Sequence, residues 1–588
     1  MDGIKRALTI DLRTLALFRV LLGSIIFSDL VMRCRDFAAF FPDTGIIPRR
    51  LAVDWFGDST WSLYFINGSA EFAALLIGVA MLAALCVVFG YRTRTMAIVS
   101  WILLCSLQQR TAILSSGADD LLRLLLFWGI FLPLGARWSI DAALERQDPY
   151  PQKGLCNVAT IALLAQASYV YWAGALLKTG SAWTTTHNAV FFALNLEQFR
   201  TPIGAWVLAN FEPLLPYLTQ FVYGIELYGP ILLFAPFWLL YLRLPVLGFL
   251  IAMHVGFLIL LNVGPFPFVS ITSLLLFTPK EVWDWLGSRV NRGENIRVFY
   301  DKGCEFCLKT VCLMRVFLVL PNISVQAAQD DRDIEPVFAR HDSWVVVAPD
   351  GEQHIEWDAV VWLVRQSTAL GWLALPARLA GGLFGGPRLY HFIGDRRYVW
   401  GRLTRLLMPW RNTKAAFPYP LQAGIGLAAL FALQINLAPV VRSVPDIHPN
   451  VEFLRTTFGL WQKWDMFAPF PLTDTRWPII EGVRRDGSRL DLFRDQLANP
   501  ARTKPKDILE EYSNYRWRKF YGRLYLAKFD YYRWDYAQYQ CRRWNNAPGR
   551  AVTDLITRVE ILTGSEPTIV GDAPEDYKVE SQGIYDCQ

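Results

Sequence analysis

Long apolar runs broken by short, arginine-bearing turns organise the first half of the chain. The clearest is AEFAALLIGVAMLAALCVVFG at 70–90, with one charged residue, Glu71. A helix rises about 1.5 Å per residue, so about 20 apolar residues cross the hydrocarbon of a bilayer, and this run predicts a spanning helix. Further runs begin near residues 14, 95, 119, 157, 217, 244 and 264, and a last one covers about 420–441. The pattern predicts nine spans, of which FPFVSITSLLLF is the shortest. Between the last two runs, IRVFY reads as a strand by its β-branched and aromatic content, and CEFCLKTVCLMRVFLVL repeats its apolar residues at helical spacing. Beyond the last run, WPIIEGVRRDGSRLDLF predicts a hairpin turning at Asp486-Gly487. The aromatic stretch WQKWDMFAPFP reads as an amphipathic element at the membrane surface.

Composition agrees with a membrane bundle carrying soluble parts: 53% of residues are hydrophobic and 19% charged. The net charge of +6 is spread over many loops, and no basic tract with interleaved aromatics appears, so no nucleic-acid partner is expected. The start, MDGIKRALTIDLRTLALFRVLLGSIIF, puts basic residues before an apolar run and lacks a small-residue cleavage site, which predicts a signal anchor. Lys5, Arg6, Arg92, Arg94, Arg137, Arg146, Lys153, Arg243, Lys280, Arg289 and Arg292 fall at one end of the predicted spans. By the positive-inside tendency these place the N-terminus and residues 290–415 in the cytoplasm and the region from 442 outside. Arg33, Arg35, Arg49 and Arg50 fall on the opposite side, in a long loop, where the tendency is weak.

Ionisable residues inside spans are costly, about 2.5–3.5 kcal/mol each at mid-helix. Arg19, Arg123, Glu226 and His254 lie in or near apolar runs, and Asp120 and Arg123 are spaced to pair on one helix face. Such groups either fix packing as internal ion pairs or line a polar cavity. Lys178 ends the stretch YVYWAGALLKTGSAW, with Gly174 and Tyr171 one and two turns earlier on the same face. One reading is a lysine snorkelling to the interface. The other is a lysine in a dry pocket, neutral through desolvation and able to act as a base.

Cys304 and Cys307 form a Cys-x-x-Cys between a strand and a helix, the thioredoxin arrangement. That spacing puts the first thiol at a helix N-terminus, where the dipole and free amides stabilise a thiolate. Cys304 is therefore the expected attacking thiol and Cys307 the resolving one. A zinc site needs four ligands, and no second pair of cysteines or histidines lies nearby, so no metal is expected. Cys86, Cys105 and Cys312 sit in apolar runs and read as inert core residues. Cys541 and Cys587 share the oxidising side and are candidates for a disulfide, with Cys34 a further candidate partner.

The stretches FRVLLG, FFPDTGIIP, GYRTR, SGADDLLRLLLFWGIFLPLGARWSID and AGALLKTGSAW occur in an order that resembles the horizontally transferred transmembrane (HTTM) domain. This is the membrane domain related to vitamin K-dependent gamma-carboxylase, and the resemblance covers about residues 8–290. It implies an intramembrane site for a quinone or hydroquinone of the vitamin K type, opening to the outer side. Aligned on Trp183, the lysine of the carboxylase's base chemistry is Lys178, and Tyr171, Gly174, Trp183, Glu226 and His254 become the expected cofactor-binding residues. Where the carboxylase has a histidine, this chain has Ala118, beside Asp119 and Asp120, which favours quinol oxidation over glutamate carboxylation.

The segment YDKGCEFC resembles the DCC family of thiol-disulfide oxidoreductases, over about residues 295–412. Its signature residues are Asp301, Cys304 and Cys307, and SWVVVAPDGEQHIEWDAVVWLV fits the later strand, turn and helix, with Asp358 and Ala359 at the usual Asp-Ala. Asp301 either tunes the thiol or caps the turn. No proline precedes SWVVV, where thioredoxins carry a cis-proline.

The expected fold is an α-helical polytopic membrane bundle (8–290) with an inserted α/β thioredoxin-like domain (295–412), a further span (419–441) and a C-terminal extramembrane region containing β structure (442–588). The expected function is a membrane redox enzyme of the bacterial inner membrane, with catalytic Cys304, Cys307, Asp301 and Lys178. Its expected partners are the lipid bilayer, a quinone, and a protein or small-thiol redox partner. The alternatives are carboxylase-like modification of exported peptides, or a non-catalytic scaffold or transport protein with a redox switch.

Overall fold

A computed structural model describes residues 2–56, 60–289, 295–413, 418–448, 451–569 and 576–588. Arg292 and the junctions at 290 and 415 lie outside the described residues. Helices occur at all the predicted runs. The bundle contains α1 (Leu12–Cys34), α2 (Ala70–Phe89), α3 (Thr93–Arg110), α4 (Gly117–Gly129), the short α5 (Ile140–Ala143), α6 (Val158–Leu177), α7 (Leu215–Leu233), α8 (Leu239–Leu260) and α9 (Phe266–Leu274). Local chemistry starts and stops them. Ser69 caps α2 and Gly90 ends it in the left-handed region at φ 67°. Capping boxes of Ser116 with Asp119 and Asn157 with Thr160 start α4 and α6.

Among the described residues, five helices are long and apolar enough to cross a membrane: α1, α2, α6, α8 and the later Tyr419–Leu437. The other predicted spans fall short for physical reasons. α4 has 13 residues, α9 has nine before a 3-10 turn, α3 ends in SLQQR, and α7 carries Glu226 and an internal Pro230. The bundle has two distinct ends. At the first, Arg13 and Lys153 meet Asp284, Arg243 donates to Leu233 and Ala7 carbonyls, and Arg92 N–H donates to Asp141. At the second, Arg33 meets Asp119 at 2.7 Å, and the C-terminal region packs on top. Apolar side chains such as Leu82, Phe221, Phe249 and Leu427 point outward, as lipid-facing positions do.

The charged residues inside the bundle have partners of several kinds. Asp120 and Arg123 pair at 3.2 Å as expected. Among the described residues Arg19 forms no carboxylate pair. Its Nη1 and Nη2 donate to the carbonyls of Val88, Leu134, Arg137 and Trp138, which satisfies the turn backbone. Three of the four arginines on the opposite side from the basic loops bring a counter-charge: Arg33 binds Asp29 and Asp119, Arg49 binds Asp43, and Arg50 binds Asp535.

The inserted region holds β1 (Arg297–Tyr300), α10 (Glu305–Phe317), β2 (Ser324–Ala327), β3 (Val345–Val347), β4 (Gln353–Ile355) and α11 (Glu356–Gln366). The sheet order is β2-β1-β3-β4, with β1 parallel to β2 and antiparallel to β3. Alternation along β1 and β3 sends Val298 and Val346 to one face and Phe299, Val345 and Val347 to the other, and both faces are covered. Three more helices follow, α12 (Ala374–Phe384), α13 (Gly386–Gly394) and α14 (Arg397–Leu407), and then α15 (Tyr419–Leu437) returns through the bundle beside α6.

The C-terminal region pairs β5 (Asp474–Arg484), β6 (Arg489–Asp491), β7 (Ile556–Pro567) and β8 (Lys578–Asp586) in one antiparallel sheet ordered β8-β7-β5-β6. The β5–β6 turn is the predicted Asp486-Gly487 hairpin, with Gly487 at φ 85°. Between β6 and β7 lie α16 (Tyr515–Leu524) and α17 (Tyr531–Asn545). α16 seats the region on the bundle. Arg516 meets Asp29 at 2.5 Å and Asp119 at 3.3 Å, and Tyr515 OH donates to Asp29. Burial alone pulls Arg516 down, but Asp119 and Asp29 outweigh it and hold the guanidinium above its ordinary value. Cys541 and Cys587 are disulfide-bonded, whereas Cys34 is a free, exposed thiol.

Candidate functional site

Cys304 is the N-cap of α10, and the N–H of Cys307 donates to its sulfur at 3.2 Å. The tight turn before it forms because Asp301 Oδ1 accepts the Gly303 N–H at 3.0 Å and Asp301 C=O accepts the Cys304 N–H at 3.0 Å. The two thiols are joined as a disulfide with Cα atoms 5.2 Å apart, so one helical turn carries the whole redox pair. Asp301 acts here as the turn cap. Its carboxylate also accepts from Gln329 Nε2 at 2.9 Å, and Arg397 stands 3.9 Å away.

Both cysteines are buried, because α10 packs against α5 of the bundle and against α14. The polar residues around it are tightly held. Lys309 is buried, pairs with Glu305 at 3.0 Å, donates to Thr404 C=O and lies 5.5 Å from the Trp410 ring. The Lys309 hydrogen bond, aided by Arg405, holds the Glu305 carboxyl below the usual carboxylate range. Burial raises the Cys312 thiol, as befits a core residue. Asp358 accepts from His354 Nδ1 at 2.7 Å and Ala359 is fully buried, so this pair anchors α11 to β4.

Residues 298–403 match the family of DCC1-like thiol-disulfide oxidoreductases. The match supports a redox function for this domain, and its cysteines are the pair just described. No curated protein and no solved structure matches the chain. The DCC1-like domain carries no cis peptide bond among its described residues. The cis bond found, Ala468–Pro469, lies instead in the segment after α15.

A second cluster lies inside the bundle near its other end, and it gathers the remaining expected residues. Lys178 is the residue that ends α6, buried, and its ammonium contacts the Glu226 carboxylate from α7. The same Nζ lies 4.4 Å from the centre of the Trp183 ring. Lys178 therefore neither snorkels nor stands as a lone amine. Tyr171 OH and His254 Nε2 share a hydrogen bond of 2.8 Å, and His254 Nδ1 is buried with no hydrogen-bond partner among the described residues. The His254 ring packs edge-on against Phe257 and Phe266, and Phe266 against Trp464. Gly174 faces the backbone of Trp464 at 4.0 Å from an added Cβ.

Trp464 belongs to the aromatic stretch expected at the membrane surface. The stretch folds back over the cluster because its polar groups find partners within the bundle. Asn436 binds Leu460 C=O and Gln462 N–H, Gln166 binds Gln462, and Trp183 Nε1 donates to Phe467 C=O. Gly180 N–H donates to Pro469 C=O, and a Cβ at 180 would sit 2.5 Å from that oxygen, so only glycine fits the approach. Sequence reasoning missed Trp464 and Phe467 as site residues. The only signal was the density of aromatics in WQKWDMFAPFP. Among the described residues, no group of three or more His, Cys, Asp or Glu is placed to hold a metal ion.

Proposed function

We propose that the chain is a membrane-held thiol-disulfide oxidoreductase whose bundle takes a quinone or quinol. The observation that carries the redox part is the Cys304–Cys307 pair at the start of α10, within the DCC1-like match. In the oxidised state described, a substrate thiolate attacks the sulfur of Cys304, the Cys304–Cys307 bond breaks, and Cys307 leaves as a thiolate held at the helix start. A second substrate thiolate displaces Cys304. The net change is one substrate disulfide formed from two thiolates and the enzyme pair reduced by two electrons to two thiolates, with no net release of protons. The reverse sequence reduces a substrate disulfide.

The bundle reading rests on the resemblance to the HTTM domain and on the buried polar cluster. A quinone supplies two-electron redox capacity and carbonyl acceptors when bound. The chain's own residues fit such a group. His254 Nδ1 has no partner among the described residues and can hydrogen-bond a carbonyl, and Tyr171, Phe266 and Trp464 offer flat apolar surfaces. Lys178, paired with Glu226, stands beside that surface as the candidate acid-base group. The dithiol lies at the first end of the bundle and this cluster near the second, so electrons pass between them only by a mobile carrier. Ala118, in the position of the carboxylase's histidine, favours this reading over carboxylation of exported peptides.

The test is quinol oxidation and dithiol oxidation by the full chain in nanodiscs. Lys178→Ala and His254→Ala should lower the quinol rate while leaving Cys304–Cys307 reducible by added dithiol. Unchanged quinol rates in both variants would remove the bundle cluster from the mechanism. Cys307→Ser should trap mixed disulfides through Cys304, and a failure to trap any would remove the thiol chemistry.

A further inference from the structure

The DCC1-like domain presents an apolar surface that its own core does not cover. On α12, Leu375, Leu379 and Leu383 recur every fourth residue and are exposed, Leu383 to 78%. On α13 the exposed pair is Leu389 and Phe392, and on α14 it is Val399, Leu403 and Leu406, the last exposed to 75%. Trp372 stands exposed just before α12. Three successive amphipathic helices with uncovered apolar stripes exceed what a soluble surface normally shows. The polar positions among them are strongly one-signed. Residues 372–411 contain seven arginines and one carboxylate, Asp395.

The position of these helices says what covers them. Leu407 C=O, at the end of α14, accepts a 2.6 Å hydrogen bond from Tyr91, in the turn between α2 and α3. Arg411 exchanges backbone hydrogen bonds with Leu144 and Arg146, and its guanidinium meets Asp141. α15 then starts at Tyr419 and runs back into the bundle. The stripe-bearing helices are thus fastened at the level where the spans turn, on the end that carries Arg92, Arg94, Arg137, Arg146 and Lys153.

We propose that α12–α14 lie in the membrane interface at this end, with the leucines in the acyl boundary and Arg378, Arg388 and Arg402 on anionic phospholipid head groups. Amphipathic helices with an apolar face and a basic flank bind in this way, and anionic head groups strengthen them. The consequence is positional: the dithiol of α10, which packs on α14, is held at the leaflet surface. The inference rests on the bundle crossing a bilayer.

The test places the photo-crosslinker p-benzoylphenylalanine at Leu383 or Leu406 of the full chain. Leu82, on the outward side of α2, and Val552, exposed in the C-terminal region, are the reference positions. Nanodiscs of phosphatidylcholine, with and without phosphatidylglycerol, are irradiated and adducts read by mass spectrometry. Lipid adducts are expected at Leu383, Leu406 and Leu82 and none at Val552. Phosphatidylglycerol should be over-represented several-fold at the first two, and the combined R378Q, R388Q and R402Q substitutions should abolish that bias. Adducts at Leu82 without any at Leu383 and Leu406, or adducts there to protein from a second copy, would overturn the proposal. A bias that survives the arginine substitutions would overturn the anionic assignment. No adduct even at Leu82 would overturn the membrane reading itself.

Discussion

Replacing Lys178 by Met tests whether the buried cluster is one interacting unit. Lys178 and Glu226 side chains are 7% and 10% exposed, so the carboxylate cannot be rescued by bulk water when its partner goes. Breaking a buried pair by removing one member costs about 3–5 kcal/mol. Lys178→Met should therefore lose about 3–5 kcal/mol, and Glu226→Leu, which leaves the ammonium alone, a similar amount. The double variant Lys178→Met, Glu226→Leu removes both charges and should recover most of either loss. Thermal unfolding of the detergent-solubilised chain, followed by retention on size exclusion, reads the wild type, both single variants and the double variant. A double variant whose loss equals the sum of the singles would refute the pairing.

Three other perturbations probe separate parts of the molecule. The Cys541–Cys587 bond closes a loop with a sequence separation of 46, so chain entropy predicts that Cys541→Ser destabilises the C-terminal region by about 4 kcal/mol, readable as earlier proteolysis of that region. Burial, with Arg523 and Arg518 nearby, lowers Lys519 on α16 from 10.5 to about 8, against the pull of Asp119 and Asp465. The folded chain then holds fewer protons than the unfolded one between those values, so stability rises with pH across that window, and Lys519→Met should flatten the rise in pH-dependent melting. Gly180→Val places a side chain against Pro469 C=O and should lift the 464–470 segment, giving faster tryptic cleavage after Lys463; an unchanged rate would mean the segment is held elsewhere.

The helices and the dithiol were legible in the sequence because both depend on local pattern. Apolar runs of span length and the strand-turn-helix around Cys304 carry their physics within a few residues. The Asp486-Gly487 hairpin is of the same kind. What was not legible are meetings over long separations. Lys178 and Glu226 stood out singly but lie 48 residues apart, and no local rule joins them. Arg33 looked misplaced for its side of the membrane; Asp29 is a local partner one turn away on its own helix, but Asp119 and the companion Arg516 come from two distant elements. The stretch WQKWDMFAPFP has the composition of a surface anchor, and only the polar partners Asn436, Gln166 and Gly180 turn it inward. The basic stripes on α12–α14 passed unnoticed because their apolar residues look like ordinary core until the domain is assembled around a different face.

In the proposed function Cys304 and Cys307 are the pair that cycles in a membrane-held chain. Isotope-coded alkylation of the full chain in nanodiscs, across a graded series of dithiol to disulfide ratios, measures the state of each cysteine directly. Cys304 and Cys307 should pass together from bonded to free in one two-electron step and return when oxidant is restored, while Cys541 and Cys587 stay bonded throughout. If Cys304 and Cys307 stay bonded until the chain unfolds, or open only together with Cys541 and Cys587, the disulfide is structural and the account is contradicted.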